Sequence, residues 1–509
     1  MTSPASDPGI EAEVTGGRIV GARRRGLRMW RGIPYAAPPV GRRRLRAPEP
    51  VVPWSGLRAA SEFGAVAYQD RDTQLGSAGV RLPRSEDCLT LNVLTPDDDA
   101  AGRPVMVFIH GGAYLNGSSR EIPHLGEALV HAGGIVFVNL NYRLGALGYL
   151  DFRRYGTEAR PFQANLGLRD QVAALAWVRE NIRAFGGDPG AVTVFGESAG
   201  ANAVTTLLAT PSARGLFARA IAESSPVEAI YTADVAQDWA AVYVEILREL
   251  TGEHRSDPAA LLAGASAAVM TRAAALMQRR FADDVPGTAP FSPVIDGEVL
   301  PERPSDAVAA GRSARVPLII GTNAHEGTLF RGRLDMLAST KPRIRAIFAR
   351  TERDARRTLF SVYRALPART SAAQFAGDYS FWYPSVKYAE GHARHAPVWF
   401  YRFDIAPRVL HLTGFGATHG IELFAVFDLL DTSIARLAGI LGGRGAFRRA
   451  GARVRRRWLE FARTGTPGED WPGYEAGQRR TLVIDETDRV EADPLAERRV
   501  AWQAFVPYV

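Results

Sequence analysis

Residues 196–200 read Gly-Glu-Ser-Ala-Gly, a serine with a glycine two positions to either side. The run Val-Thr-Val-Phe before it, 192–195, has the character of a strand, and 199–209 that of a helix. A G-x-S-x-G run between strand and helix is a nucleophile elbow: the two elements nearly touch, so only small side chains fit, and the hydroxyl is lifted above the sheet. The turn also aims the first helical N–H groups at the reacting centre. A serine hydroxyl is a poor nucleophile at neutral pH, so chemistry at Ser198 requires a base and a group that orients that base.

Six of the nine histidines follow Ser198. His419 stands in Gly-Ala-Thr-His-Gly-Ile-Glu, 416–422, after the apolar run Val398–Phe403 and before an apolar helical stretch. His325 lies beside an acid but too early for a base, His392 and His395 precede or open a strand, and His254 and His411 lack a glycine-rich setting. His419 is therefore the expected base. For the acid, the strand at 317–321 runs into Thr-Asn-Ala-His-Glu-Gly, which sets Glu326 on a loop at a strand end. Asp296, in Pro-Val-Ile-Asp-Gly, reads better as a turn aspartate. The chain order Ser198, Glu326, His419 is the one an α/β-hydrolase sheet requires.

Attack on an ester carbonyl builds negative charge on oxygen, which must meet preorganised donors. His-Gly-Gly-Ala-Tyr, 110–114, follows the strand 105–109, and Gly111 and Gly112 let the backbone approach a substrate closely. The N–H groups of Gly112, Ala113 and Ala199 form the expected oxyanion hole.

These residues need a sheet to hold them. Short β-branched and aromatic runs at 91–94, 105–109, 135–140, 192–195, 318–320 and 398–403 suit buried strands. Residues 170–185 place Val172, Leu175, Ala176, Val178 and Ile182 at helical spacing, stopped by Gly186-Gly187. Strands alternating with helices predict a mostly parallel sheet with crossover helices. The segments 228–285 and 330–395 read as mainly helical excursions that wall an active-site gorge. Residues 32–54, rich in proline, read as an extended surface segment.

Composition narrows the partners. Hydrophobic residues make up 46% of the 509 and charged ones 23%, ordinary for a globular chain, which excludes wholesale disorder. The net charge is +8, and of 62 basic residues only Lys341 and Lys387 are lysine. The positive charge is scattered among 54 acids, which argues against a nucleic-acid partner. Its densest stretch, 444–457, spaces Phe447, Val454, Trp458 and Phe461 helically, as an amphipathic helix with a solvated basic face would; a polyanion patch is the alternative. Cys88 is the single cysteine, so neither an intrachain disulfide nor a multi-cysteine metal site is expected. No apolar h-region follows Met1, and no window reaches the roughly 18 apolar residues of a membrane span. A cytoplasmic location is expected.

Ordered matches along the chain give it a family resemblance. They include Arg-Gly-Ile-Pro-Tyr-Ala at 31–36 with Pro-Pro-Val-Gly at 38–41, Ser-Glu-Asp-Cys-Leu at 85–89, and Asn-Tyr-Arg-Leu-Gly at 141–145 with Gly148. They continue with Asn-Leu-Gly-Leu at 165–168 leading into Asp170-Gln171, Phe-Gly-Gly-Asp-Pro at 185–189, the serine motif, and Phe-Ala-Arg-Thr-Gly at 461–465. From about Thr15 onward the sequence resembles the type-B carboxylesterases, which include cholinesterases and para-nitrobenzyl esterases. In the family pattern the serine, glutamate and histidine fall on Ser198, Glu326 and His419. The resemblance further implies an Arg44–Glu86 structural ion pair, and Glu197 and Ser224 as a polar pair near the histidine.

Departures are equally specific. Cys88 holds one side of a disulfide position that many secreted relatives use, while 62–87 contains no cysteine. The same segment has no tryptophan to stack a quaternary ammonium, which argues against choline esters. Tyr114 replaces the usual phenylalanine, and Ala113 fills the third small position.

The resulting expectation is one α/β-hydrolase domain over 1–509 that cleaves small or medium carboxylic esters through an acyl-serine, with no metal or organic cofactor. The alternatives are the same chemistry on carbamate, amide or lipid esters and, more remotely, a non-catalytic interaction protein of the same fold.

Overall fold

The computed structural model describes residues 9–70, 82–121, 124–331, 335–432 and 441–505. Twelve strands follow one another across a single sheet: β1 (Ile10–Val14), β2 (Gly17–Arg24), β3 (Leu27–Pro34), β4 (Thr90–Pro96), β5 (Arg103–Ile109), β6 (Val136–Leu140), β7 (Gly187–Glu197), β8 (Arg219–Glu223), β9 (Leu318–Asn323), β10 (Val398–Phe403), β11 (Arg480–Ile484) and β12 (Arg489–Ala492). Their spatial order is β1-β2-β3-β4-β6-β5-β7-β8-β9-β10-β11-β12, and a short strand, Leu57–Ala59, pairs beside β2. From β6 to β11 every neighbouring pair is parallel. Antiparallel strands flank that centre on both sides.

The sequence explains the division. The central strands β6 and β9 are buried at every residue, as strands covered on both faces must be. Alternate residues of β5 enter opposite layers: Val105, Val107 and Ile109 join one buried cluster, Met106 and Phe108 the other. On the first face lie α1 (Leu166–Asn181) and α2 (Ala199–Ala209); on the second lie α3 (Ile421–Val426) and α4 (Arg444–Thr464). β1 and β2 alternate buried with exposed positions instead, which is why no continuous apolar run announces them.

The two excursions are helical. The first holds helices Ala233–Thr251, Pro258–Gly264 and Ala267–Asp284; the second holds Lys341–Ala349, Arg353–Val362, Arg369–Gly377 and Tyr383–His392. Tyr243, Met270, Phe348 and Leu359 from these helices belong to the same buried cluster as α1 and α2. The implied Arg44–Glu86 pair is present, and Arg44 also donates to the carbonyls of Ala263 and Ala265, fastening the first excursion to the N-terminal segment. Among the described residues no single helix is long and apolar enough to cross a membrane.

Candidate active site

β7 ends at Glu197 and α2 begins at Ala199, leaving Ser198 alone on the turn between them. Its backbone is strained, with φ 58° and ψ −124°, and its N–H donates to the carbonyl of Glu223 at 2.9 Å. The motif's glycines are sterically required. A Cβ at Gly196 would fall 2.6 Å from the Ile109 carbonyl oxygen, and one at Gly200 only 2.0 Å from the same atom. The strand–helix contact that lifts Ser198 therefore admits no larger residue.

The loop after β5 turns back with three consecutive positive φ values, 110° at Gly112, 54° at Ala113 and 58° at Tyr114. Gly111 packs against the elbow itself, where a Cβ would meet the Glu197 carbonyl oxygen at 2.6 Å. Among the described residues, no turn or loop hydrogen bond to a backbone carbonyl takes up the N–H groups of Gly112, Ala113 and Ala199. Ala113, Ser198 and Ala199 line one cavity, so donors from two separate loops are available around the serine.

Glu326 and His419 come from the loops that follow β9 and β10. A parallel bridge joins His325 to Thr418, the N–H of His325 donates to the Ala417 carbonyl at 2.9 Å, and Thr328 Oγ1 reaches the Phe415 carbonyl at 2.7 Å. Glu326 and His419 are thereby held in one register, with Glu326 Oε2 2.5 Å from His419 Nδ1. The other oxygen, Oε1, accepts from the Asn323 N–H at 2.7 Å and lies 2.7 Å from Ser224 Oγ. The imidazole is buried against Phe381 and Phe330, ring centroids 4.4 and 5.0 Å away.

On its other side, His419 Nε2 makes no hydrogen bond among the described residues and lies 3.1 Å from Glu197 Oε1. The Ser198 hydroxyl is therefore not bonded to the imidazole here, a contact that ligand-free sites often form only with substrate bound. Ser224 does not pair with Glu197 but sits between Glu326 and Glu422, 2.8 Å from Glu422 Oε1. Four carboxyls are thus packed at the ends of the central strands: Glu197, Glu326 and Glu422 around the imidazole, and Glu223 opposite Glu197 in the β7–β8 register.

Burial dominates their electrostatics. It would lower the His419 pKa, but Glu197 and Glu326 outweigh it and raise the imidazole to about 9. Burial pushes Glu197 up to about 8 against the pull of His419, and Glu422 up to about 7 with repulsion from Glu326 adding to it. Glu223 is driven well above the usual carboxylate range by burial, although Trp458 Nε1 donates to its Oε1 at 2.6 Å.

The cavity above Ser198 has a volume of about 300 Å³, with Phe330, Phe381, Tyr379 and Trp502 among its walls. A second cavity of about 130 Å³, lined by Leu115, Leu147 and Met270, shares Ala113 and Met336 with it. Among the described residues no three His, Cys, Asp or Glu side chains are grouped as a metal site would need.

The structure thus places Ser198, Gly111, Gly112, Ala113 and Ala199 around one elbow, and Glu326, His419, Glu197 and Ser224 in one buried cluster beside it. Asp296 is the turn aspartate its sequence suggested: its Oδ1 accepts from the N–H groups of Glu298, Val299 and Leu300. Sequence reasoning missed Asn323, Glu422, Glu223 and Trp458, as well as the two phenylalanines against the imidazole. Only Glu422 left a signal, an acid three residues after His419 in the same glycine-rich run.

Comparison with known proteins places these features in context. The model of the family described as "Carboxylesterase family" matches residues 7–502. The chain is 37% identical over 488 residues to a para-nitrobenzyl esterase of Bacillus subtilis (strain 168), covering 95% of this chain and 96% of that protein. It is 32% identical to a phenmedipham hydrolase of Pseudarthrobacter oxydans, with 95% and 96% covered. The solved structure of a thermophilic PNB esterase superposes with a TM-score of 0.85 at 34% identity, over 96% of this chain and 99% of that one.

Proposed function

The chain belongs to the carboxylesterase family and is a serine ester hydrolase, and from that premise we propose that Ser198, Glu326 and His419 are its catalytic triad. Ser198 Oγ attacks the ester carbonyl as His419 takes its proton through Nε2. The N–H groups of Gly112, Ala113 and Ala199 receive the oxyanion. His419 then protonates the departing alcohol, leaving an acyl-serine, and water repeats the sequence to release the acid. Glu326, at Nδ1, holds the imidazole in the tautomer that leaves Nε2 free to take the serine proton, and it stabilises the charge that results.

The observation that carries this assignment is the buried 2.5 Å contact between His419 Nδ1 and Glu326 Oε2, made by residues 93 positions apart. A cavity of about 300 Å³ fits small or medium acyl esters. The shared buried cluster of sheet and excursions supports a single α/β-hydrolase domain. One buried cysteine without a possible partner suits a reducing cytoplasm.

Ser198→Ala should lower turnover of a short p-nitrophenyl ester by at least about three orders of magnitude and abolish labelling by a serine-directed phosphonate. Near-wild-type turnover in that variant would remove Ser198 from the mechanism.

A further inference from the structure

Aromatic rings make up much of the wall of the cavity that holds Ser198, yet two buried polar atoms of residues in that wall have no hydrogen-bond partner among the described residues. They are Glu228 Oε1 and Ser292 Oγ. Lys387, one turn beyond Tyr383 on the helix Tyr383–His392, also lines the cavity. Its Nζ lies 3.8 Å from Glu228 Oε1, an ion-pair distance but beyond hydrogen-bond reach. Glu228 Oε2 meets Arg303 Nη1 at 3.5 Å, and the same Nη1 donates to the Ile230 carbonyl at 2.9 Å. Glu228 Oε2 is therefore held by Arg303, while Oε1 faces the Lys387 ammonium without a hydrogen bond among the described residues. Folded proteins leave few buried polar atoms unbonded, and in a binding cavity a ligand is what completes them.

We infer that Lys387, Glu228 and Ser292 form a recognition point for a neutral hydrogen-bonding terminus, an amide or a hydroxyl, carried by the ester substrate. The inference rests on Ser198 being the nucleophile, since that makes this cavity the substrate's. Charge decides the class of terminus. A carboxylate would bond Lys387 but face Glu228, and an ammonium would bond Glu228 but face Lys387. A primary amide offers its oxygen to the lysine and its N–H to Glu228 Oε1. A hydroxyl can do the same with one atom, and Ser292 can donate to or accept from either group. The surrounding rings would hold the apolar chain between this terminus and the scissile bond.

The test uses matched esters of graded chain length ending in methyl, carboxamide, carboxylate or ammonium. The terminus is carried on the acyl side of p-nitrophenyl esters in one set and on the alcohol side in another. In one of the two sets the carboxamide should show a higher kcat/KM than either charged terminus. Lys387→Met and Glu228→Gln should each lower the carboxamide-to-methyl ratio of kcat/KM about tenfold, chiefly through KM, and Ser292→Ala by less. A ratio unmoved in all three variants overturns the assignment. So does a preference for carboxylate that disappears in Lys387→Met, which would make the site an anion pocket, or a preference for ammonium that disappears in Glu228→Gln. Ser198→Ala scored on the methyl-terminated ester reports separately on the nucleophile, because that ester has no polar terminus to recognise.

Discussion

His419 lies between two carboxylates, Glu326 at Nδ1 and Glu197 at Nε2, and each favours the imidazolium. A histidine in water would become a working base above about pH 6.5. Here Glu197 and Glu326 raise the imidazole of the proposed base to about 9, so kcat/KM should climb above neutrality before levelling. The sign is testable at one residue. Removing the Glu197 charge removes a stabiliser of the imidazolium, so Glu197→Gln should move the midpoint of the kcat/KM profile toward acid by about one unit. An unmoved midpoint would show that Glu197 does not act on the base. The sequence located His419 and suggested Glu197 near it, but the neutral-pH midpoint that a histidine alone implies is changed by the burial of three acids around one ring.

Two junctions position the chemistry at the scale of elements. The first is the β7–α2 elbow, where the Gly200 position is closed by the backbone of Ile109 rather than by a side chain that could swing away. Gly200→Ala should therefore cost about 3 kcal/mol or more and depress kcat. Gly477→Ala, where a Cβ meets nothing within 4 Å, is the matched control. Equal melting temperatures and turnover for the two variants would contradict the steric reading of the motif. The second junction is the pairing of the Glu326 and His419 loops through the His325–Thr418 bridge. Local glycine patterns announce the first junction because the positions it constrains lie within five residues, although the Ile109 backbone that closes them comes from the neighbouring strand β5. Nothing local announces the second, because its two sides are about 93 residues apart and meet only when β9 and β10 lie side by side.

In the densest basic stretch of the molecule the positive charge is answered locally. In α4, six of the seven arginines between 444 and 457 face an acid: Arg444 and Arg448 meet Asp431, Arg453 and Arg457 meet Asp488, Arg455 meets Asp428 and Arg456 meets Asp470. Phe447, Val454, Trp458 and Phe461 fill the opposite, buried face. Apart from the buried Arg457, the stripe is the outer face of a core helix, its charge answered by neighbours that the sequence places up to 35 residues away. On heparin resin the protein should elute by roughly 0.15 M salt, the physiological ionic strength. Retention well beyond that, lost on Arg448→Glu, would reveal a polyanion site despite the pairing.

The sequence by itself determined the parallel α/β core and pointed to the proposed nucleophile, oxyanion loop and serine–acid–base order, since each is written in short-range patterns: small residues at a steric pinch, and apolar runs for strands buried on both faces. The tertiary structure alone decided the rest. It brought Glu422 to Ser224 across 198 residues and Trp458 to Glu223 across 235, and set Phe330 and Phe381 against the imidazole. It also placed Glu228, Ser292 and Lys387 in one cavity with Ser198. The physical reason is range. A steric or periodic constraint acts between neighbours in the chain and leaves a pattern there, whereas desolvation and hydrogen bonding act between neighbours in space, which only the folded sheet defines.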